Sequence, residues 1–349
     1  MAGTTAPDLP PAAALGGLVA TGLRDVTDDL GALDGSGRWA VVLPYAGVPV
    51  LARFDRWAAS GAGQAPTGSW RGPSADAWSS SLDRAAYEAA VAEVRERIAA
   101  GDVYQANVCR VLSADLPDPH RCDVAALHRL LADGNPAPYG GFVRLPSAGV
   151  HVATASPELF LRREGRLLSS GPIKGTATTA DGLLPKDAAE NVMIVDLVRN
   201  DLSRVCRTGS VEVPALLRVE QHPGLVHLVS VVSGLLRDDV GWAEVVEAAF
   251  PPGSVTGAPK SSALRVIDDV ETASREVYCG AVGWVDADTG QAELAVAIRT
   301  FWLADGQVRF GTGAGITWGS DPAAEWEETR LKAHRLVTVA AGAWEGGAP

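Results

Sequence analysis

A lysine framed by small, rigid residues is the first chemistry the sequence offers, in Gly171-Pro-Ile-Lys-Gly-Thr176. Most lysines are solvated surface charges. Here Pro172 and Gly175 restrict the backbone, and Gly175 lets a ligand approach closely. A lysine whose charge is disfavoured by burial or by its neighbours becomes a nucleophile. Upstream, Ser156-Pro-Glu158 sets a carboxylate just before an apparent strand at 159–162. A strand–turn–strand hairpin over 158–174 would bring the acid Glu158 and the nucleophile Lys174 to one place, which spacing alone does not prove.

Two acidic pairs stand at helical spacing. Asp187 and Glu190 are three apart in one expected helix, and Glu325 and Glu328 in another, so each pair shares a helix face. Such a pair by itself is usually solvated. The second pair encloses Trp326 and Glu327, and Lys332 follows Glu328 by one turn. Two converging pairs would make an oxygen-rich site for Mg²⁺, which takes one or two carboxylates directly and keeps several waters.

Two glycine-rich segments resemble nucleotide loops and fail the test. In Gly253-Ser-Val-Thr-Gly-Ala-Pro-Lys260-Ser261 the second Gly is not followed directly by Lys, and Pro259 intrudes. Gly311-Thr-Gly-Ala-Gly315 follows a strand but lacks dinucleotide spacing and an immediate helix. Each is read as a turn, either a plain one or one whose backbone N–H groups face an anion such as a carboxylate.

The elements that must position these groups follow from patterning. Short strands are expected at 39–43 and 48–54. A Gly-, Ser-, Ala- and Pro-rich linker is expected at 61–81, and a main body begins near Leu82. The expected division is therefore 1–81, a short N-terminal β element with its linker, and 82–345, the catalytic domain. Tyr87, Val91, Val94 and Ile98 recur at helical spacing and Gly101 stops that helix. A strand is expected at 103–111 and helices at 188–198 and 261–270. Further strands are expected at 281–285, 292–301 and 307–310. Within 292–301, Leu294, Val296 and Ile298 alternate with Glu293, Ala295, Ala297 and Arg299, the pattern of a half-buried strand. A last helix is expected at 322–337, capped by Asp321 with Pro322 in its first turn.

Bulk composition narrows the function classes. The 349 residues are 47% hydrophobic, ample for a core. The net charge of −12 disfavours a nucleic-acid binder but not a small anionic substrate held by a local cluster of cations. Cys109, Cys122, Cys206 and Cys279 form no C-x-x-C pair, so reduced buried thiols are expected rather than a zinc site or a disulfide framework. The first residues lack a basic n-region, and no uncharged apolar run is long enough to span a bilayer, so a cytoplasmic protein with no membrane partner is expected.

Taken in order, these segments resemble the chorismate-utilising enzymes, a family that includes anthranilate synthase component I, aminodeoxychorismate synthase component I, isochorismate synthases and salicylate synthases. The matching stretches are Gly101-Asp-Val-Tyr-Gln105, Ser156-Pro-Glu-Leu-Phe160, Pro172-Ile-Lys-Gly-Thr176, Glu190 through Asp201, Gly253 through Lys260, Ala297-Ile-Arg-Thr300, Gly311 through Gly315 and Glu325-Trp-Glu-Glu-Thr329. They span roughly 82–340. The resemblance implies an α/β (α+β) fold of two packed, mainly antiparallel β-sheets flanked by helices, with the site between them. It implies that Glu190 and Glu328 hold Mg²⁺, with Asp187 and Glu325 supporting through water. It implies that Arg299 and Tyr278 bind the enolpyruvyl carboxylate, helped by backbone N–H groups near Gly313 and Gly315. Gln105, Gly175, Thr176, His227, Thr256 and Lys332 match other substrate-pocket positions, although His227 alone reads as a buried structural histidine.

Two positions discriminate within the family. Members that add water resemble one another in a lysine where this chain has Gln105, and Gln cannot act as a base. Anthranilate synthases resemble Pro-Ile-Ala-Gly-Thr where this chain has Lys174, and the aminodeoxychorismate type has the lysine. The implied reaction is amination of chorismate at C4 to 4-amino-4-deoxychorismate, in the 4-aminobenzoate and folate branch. Lys174 would form a covalent intermediate, Glu158 would act as general acid, and ammonia would come from a separate glutamine amidotransferase subunit. No Leu-Leu-Glu-Ser-type motif is found in the short N-terminal portion, which leans away from tryptophan feedback. Rival readings are an anthranilate synthase component I, an amino-deoxyisochorismate synthase, a non-catalytic chorismate-binding subunit, and an unrelated metal-binding module.

Overall fold

The computed structural model describes residues 9–59, 67–177, 179–183, 185–222 and 225–342. Strands β1 (Ala12–Leu15) and β2 (Leu18–Thr27) make a hairpin, and β3 (Arg38–Leu43) and β4 (Val50–Ala59) a second one. After β5 (Ser79–Ser80), helix α1 (Arg84–Ala100) leads into β6 (Gln105–Asp115), and α2 (Val124–Gly134) into β7 (Tyr139–Leu145) and β8 (Val150–Ser156). Then come β9 (Leu159–Glu164), β10 (Leu167–Gly171), β11 (Ile173–Ala177), α3 (Pro185–Ser203), β12 (Glu212–His222) and β13 (Leu225–Leu235). The chain continues through α4 (Trp242–Ala249), β14 (Gly257–Ala258), α5 (Lys260–Val270), β15 (Ala281–Asp286) and β16 (Gln291–Val296). It closes with β17 (Thr300–Ala304), β18 (Gln307–Ile316) and α6 (Pro322–Ala340).

Among the described residues all strand pairs are antiparallel, and hydrogen bonding links 18 strands into one set. One arm runs from β13, flanked by β11 and β12, through β10, β9 and β16 to β15. The other runs from β7 through β8, β17 and β18 to β6, which also carries β5 and β14. Strands β3, β4, β2 and β1 connect the arms. The expected pair of packed sheets is thus two arms of one ribbon. Their inner faces meet: Leu161, Val282 and Leu294 share a core cluster with Val111, Val143 and Trp302. Ile194, Val195 and Val198 of α3 join that cluster, and α2 and α6 bury Leu131 and Leu336 with Phe301 and Phe310 of the other arm.

Local signals place the helix ends where the sequence puts them. Asp83 accepts from Ala86 N at the start of α1, and Gly101, at φ +84°, closes it with its N–H on Arg97 and Ile98 carbonyls. Asp321 accepts from Ala324 N at the start of α6, with Pro322 in the first turn.

Three expectations change. The strand expected over 292–301 is two strands, because Arg299 takes φ +51° between β16 and β17. Its expected half-burial also fails: Leu294, Ala295, Val296 and Ala297 are all buried, since the packed arms cover both faces. The segment 311–315 is not a turn but strand interior, with β18 paired to β6 without interruption from Gln307 to Ile316. Packing is also continuous across the division placed near residue 82. β3 pairs with β15 along its whole length, and Trp39, Val41, Leu51 and Phe54 lie in the shared core. A few strands alone could not bury both faces. Residues 61–66 of the expected linker lie outside the described residues.

Candidate active site

Lys174 and Glu158 are brought together by the hairpin the sequence suggests. β9 and β10 pair back to back, Pro172 interrupts, and β11 continues against β13 with Lys174 opposite Leu228. The β11–β13 register shifts between Lys174 and Thr176, where Gly175 takes φ +80°. A Cβ on Gly175 would lie 2.8 Å from the Cβ of Asp187, so glycine is what lets β11 press against the first turn of α3. Lys174 then reaches across to the other arm. A Cβ on Gly315 of β18 would lie 3.2 Å from Lys174 Nζ, 3.1 Å from Asn107 Oδ1 and 2.3 Å from Gln105 Nε2. Three polar groups therefore converge on the side chain that Gly315 lacks.

Glu158 is 4% exposed. Burial pushes its carboxyl up from 4.5 to about 7, against the opposing effects of hydrogen bonds from the Ser254 side chain and Ile173 backbone and of the charges of Lys174 and Arg299. A carboxylic acid that keeps its proton near neutral pH beside a lysine is suited to general-acid work. Ser254 ties this acid to β6, since its carbonyl accepts from Asn107 Nδ2 at 3.3 Å.

Arg299 sits at the break between β16 and β17, and its left-handed backbone turns the side chain toward the charge of Glu158. Burial lowers its pKa, and among the described residues its guanidinium has no ion-pair partner within 4.0 Å. Tyr278 is buried, its pKa pushed well above the ordinary range by burial. Its ring fills the space a Cβ on Gly311 would need, 2.0 Å away, and Cys109 Sγ does the same at Gly313, 2.6 Å away. Pairing with β17 stops at Phe310, so among the described residues one edge of β18 is unpaired from Gly311 onward. Lys332 reaches the Gly313 carbonyl at 3.1 Å. Thr256 is buried, with its hydroxyl donating to Pro252 O at 3.1 Å. His227 is buried on β13, opposite Thr176 in register.

The two acidic pairs converge electrostatically. Glu190 on α3 is influenced by Asp187 and by Glu328 on α6, and Glu325 by Glu328. Burial raises the pKa of Glu190 and of Glu325. Burial alone would raise Glu328 as well, but Lys332, 2.6 Å away, with Lys186 and Lys174, brings it below the usual range. Among the described residues no three His, Cys, Asp or Glu side chains gather at metal-coordinating distance. Lysines occupy the carboxylates instead: Lys332 on Glu328, Lys174 at 4.0 Å from Glu190, and Lys186 close to Glu190, Glu325 and Glu328. The donors are oxygen only and carry net negative charge, which fits a hard divalent cation in place of the ammonium groups.

Several neighbours were not singled out from sequence. Asn107 lies two residues from Gln105 on one strand, a period-two signal that was available. Glu271 and Arg275, four apart, form a buried pair at 2.6 Å. Arg275 also donates to Val255 O and Asn107 O, and Glu271 accepts from Cys109 N. Lys260, at the end of the rejected phosphate-loop pattern, is committed elsewhere: its Nζ bonds Asp201 at 2.8 Å and Ala249 O at 3.0 Å.

The sequence and the fold are similar to those of known proteins. A family model described as chorismate binding enzyme matches residues 51–338. Anthranilate synthase component 1 of Streptomyces coelicolor is 41% identical over 274 residues, covering 75% of this chain and 52% of that protein. Aminodeoxychorismate synthase component 1 of Klebsiella aerogenes is 36% identical over 273 residues, covering 75% of this chain and 59% of that protein. The chain spans about half the length of the curated relatives it matches. In fold, it is similar to anthranilate synthase component I from Streptococcus pneumoniae, with TM-score 0.77 at 23% identity, covering 95% of this chain and 93% of the other. It is likewise similar to MenF, the menaquinone-specific isochorismate synthase of Escherichia coli, with TM-score 0.77 at 18% identity, covering 97% and 90%. On the extent of the family match and the identity to these relatives, the chain belongs to the chorismate-binding enzyme family.

Proposed function

We propose that this protein aminates chorismate at C4 to give 4-amino-4-deoxychorismate, with Lys174 as a covalent nucleophile. The observation that carries the reading is the position of Lys174, between the arms, beside Gly315 and within the electrostatic reach of the protonated Glu158. Lys174 attacks C2 as the free amine while the ring double bonds shift and the 4-hydroxyl leaves, taking the proton of Glu158 to depart as water. Ammonia then attacks C4, the bond between C2 and Lys174 breaks, and the surplus proton of the new ammonium returns to Glu158. The sum is chorismate plus ammonia giving product plus water, with the enolpyruvyl group retained. Dividing one hard displacement into two easier ones is the advantage of a covalent route.

Arg299, with Tyr278 and the backbone N–H groups near Gly313 and Gly315, is assigned to the enolpyruvyl carboxylate. Gln105, Gly175, Thr176, His227, Thr256 and Lys332 are assigned to the rest of the substrate pocket. Glu190 and Glu328 would hold Mg²⁺, with Asp187 and Glu325 through water. When bound, the ion neutralises the ring carboxylate. Ammonia is supplied by a glutamine amidotransferase subunit, forming a heterodimer with this chain, and the product serves 4-aminobenzoate and folate synthesis. The reaction is assigned to the cytoplasm, in keeping with four free, buried cysteines. Among the described residues no helix is long and apolar enough to cross a membrane.

A second reading, anthranilate synthesis or amino-deoxyisochorismate synthesis, draws on the 41% identity to an anthranilate synthase component 1. Lys174 argues against it. The test is mass spectrometry of the products formed from chorismate, Mg²⁺ and ammonium by the wild type and by Lys174→Ala. An ammonia-dependent product that retains the enolpyruvyl group, absent with Lys174→Ala, supports the C4 reading. Anthranilate with pyruvate, or a product that needs no ammonia, rejects it.

A further inference from the structure

We infer that the side-chain amides of Gln105 and Asn107 form a second station for the Lys174 nitrogen, the one from which it reacts. This rests on reading Lys174 as the nucleophile.

Gln105 is fully buried, and among the described residues neither its amide oxygen nor its amide nitrogen has a hydrogen-bond partner. Asn107 is 8% exposed, and its Oδ1 is likewise without a partner, although its Nδ2 is held by Ser254 O. Native proteins bury few unpaired polar atoms, because each opposes folding. Here three occur on two residues of one strand, and two of them, Gln105 Nε2 and Asn107 Oδ1, lie 2.3 and 3.1 Å from the empty Cβ position of Gly315. The fold makes no use of them, so their use lies in a ligand or in a state other than this one.

Lys174 Nζ is 3.2 Å from that same empty position. In the present state it leans on Glu190, 4.0 Å away, beyond the length of a good hydrogen bond. A short swing of its flexible stem takes the nitrogen from one set of partners to the other. The chemistry of the two sets differs. Glu190 is a charged counter-ion. The amide oxygens of Gln105 and Asn107 accept N–H bonds but have no basicity, so they orient an amine without taking its proton. Once bonded to carbon, the nitrogen carries two N–H bonds and a positive charge, and two neutral acceptors match it. On this assignment Asn107, which the sequence reading passed over, touches the reacting nitrogen.

The experiment compares wild type with Gln105→Met and Asn107→Leu, both apolar and close in size. Three quantities are measured: melting temperature, equilibrium binding of chorismate, and the rate at which chorismate without ammonia adds to Lys174, followed by quenched intact-protein mass spectrometry. Removing the unpaired amide from Gln105→Met is expected to raise the melting temperature by about 2 °C. The same variant should form the adduct roughly 100-fold more slowly at saturating chorismate. Asn107→Leu should show the same slowing while binding chorismate within about twofold of wild type, without the gain in melting temperature, because it loses the bond to Ser254. Adduct formation at the wild-type rate in both variants overturns the inference. So does a loss of chorismate binding by Asn107→Leu that accounts for its slowing, since that amide would then be a substrate contact. Wild type that forms no Lys174 adduct overturns the nucleophile reading itself, which separates the two failures.

Discussion

Lys174 Nζ stands 4.0 Å from Oε2 of Glu190, so the residue assigned as nucleophile and a residue assigned to the metal lean on each other where β11 presses against α3. The family resemblance implies one site for both, but it gives no contact between them. The contact ties the lysine of β11 to the carboxylate cluster of α3 and α6, and Lys332 does the same from the β18 side through Gly313 O and Glu328.

The cluster leads to the first prediction, on metal. Glu190→Gln and Glu328→Gln should each weaken Mg²⁺ binding by at least about 10–100-fold, measured by calorimetry on chorismate-free protein. Asp187→Asn should have a smaller effect, because its assigned contact passes through water. Equal Mg²⁺ affinity in all three variants and wild type would remove these carboxylates from the metal site.

Glu158 gives a prediction on pH. Its carboxyl is raised from 4.5 to about 7, chiefly by burial, so as the proposed acid it should lose activity as pH rises through about 7. For stability, the folded protein binds this proton more tightly than the unfolded chain. The contribution is therefore fully present below 4.5 and is lost as pH rises through about 7. Above that pH, Glu158→Gln should be more stable than wild type by up to about 3 kcal/mol, with the difference shrinking toward pH 5. Denaturant melts of the two proteins at several pH values check it. A difference that does not change with pH counts against a raised Glu158.

The Glu271–Arg275 pair yields a prediction on positioning. Both side chains are buried, and Arg275 holds Val255 O and Asn107 O, which ties the backbone beside Ser254 to β6. Arg275→Met leaves Glu271 as an uncompensated buried charge and should cost about 3–5 kcal/mol. The double variant Arg275→Met with Glu271→Met should recover part of that loss without recovering full activity. Denaturant unfolding and kcat on the same samples check both parts. Full recovery of activity in the double variant would make the pair purely structural.

What the sequence made legible was local. Asp83 and Gly101 bound α1, Asp321 and Pro322 start α6, and Pro172 with Gly175 marks the rigid frame of Lys174, each through a backbone preference carried by the residue itself. What it hid was set by partners far along the chain. The alternation around Leu294 does not encode the positive φ of Arg299, and it suggested one solvent-facing side where the second arm covers it. The run 311–315 was read as a turn because glycines usually mark turns, yet here their missing side chains are filled by Tyr278, Cys109 and Gln105. The rejected phosphate-loop pattern ends at Lys260, and what its ammonium does instead, bonding Asp201 on a different helix, no local spacing announces. The continuity of the first four strands with the body follows from pairing with β15 and β7, which no short-range signal announces.

The glycine ladder of β18 also bears on how such an enzyme can change over generations. A pocket wall built from side chains can be retuned one substitution at a time. This wall is bare main chain, and any substituent at Gly311, Gly313 or Gly315 collides with a residue the site already uses. Drift toward a new substrate or nucleophile is therefore channelled away from β18 and onto the strands that fill its gaps, where β6 and β11 still carry side chains to exchange.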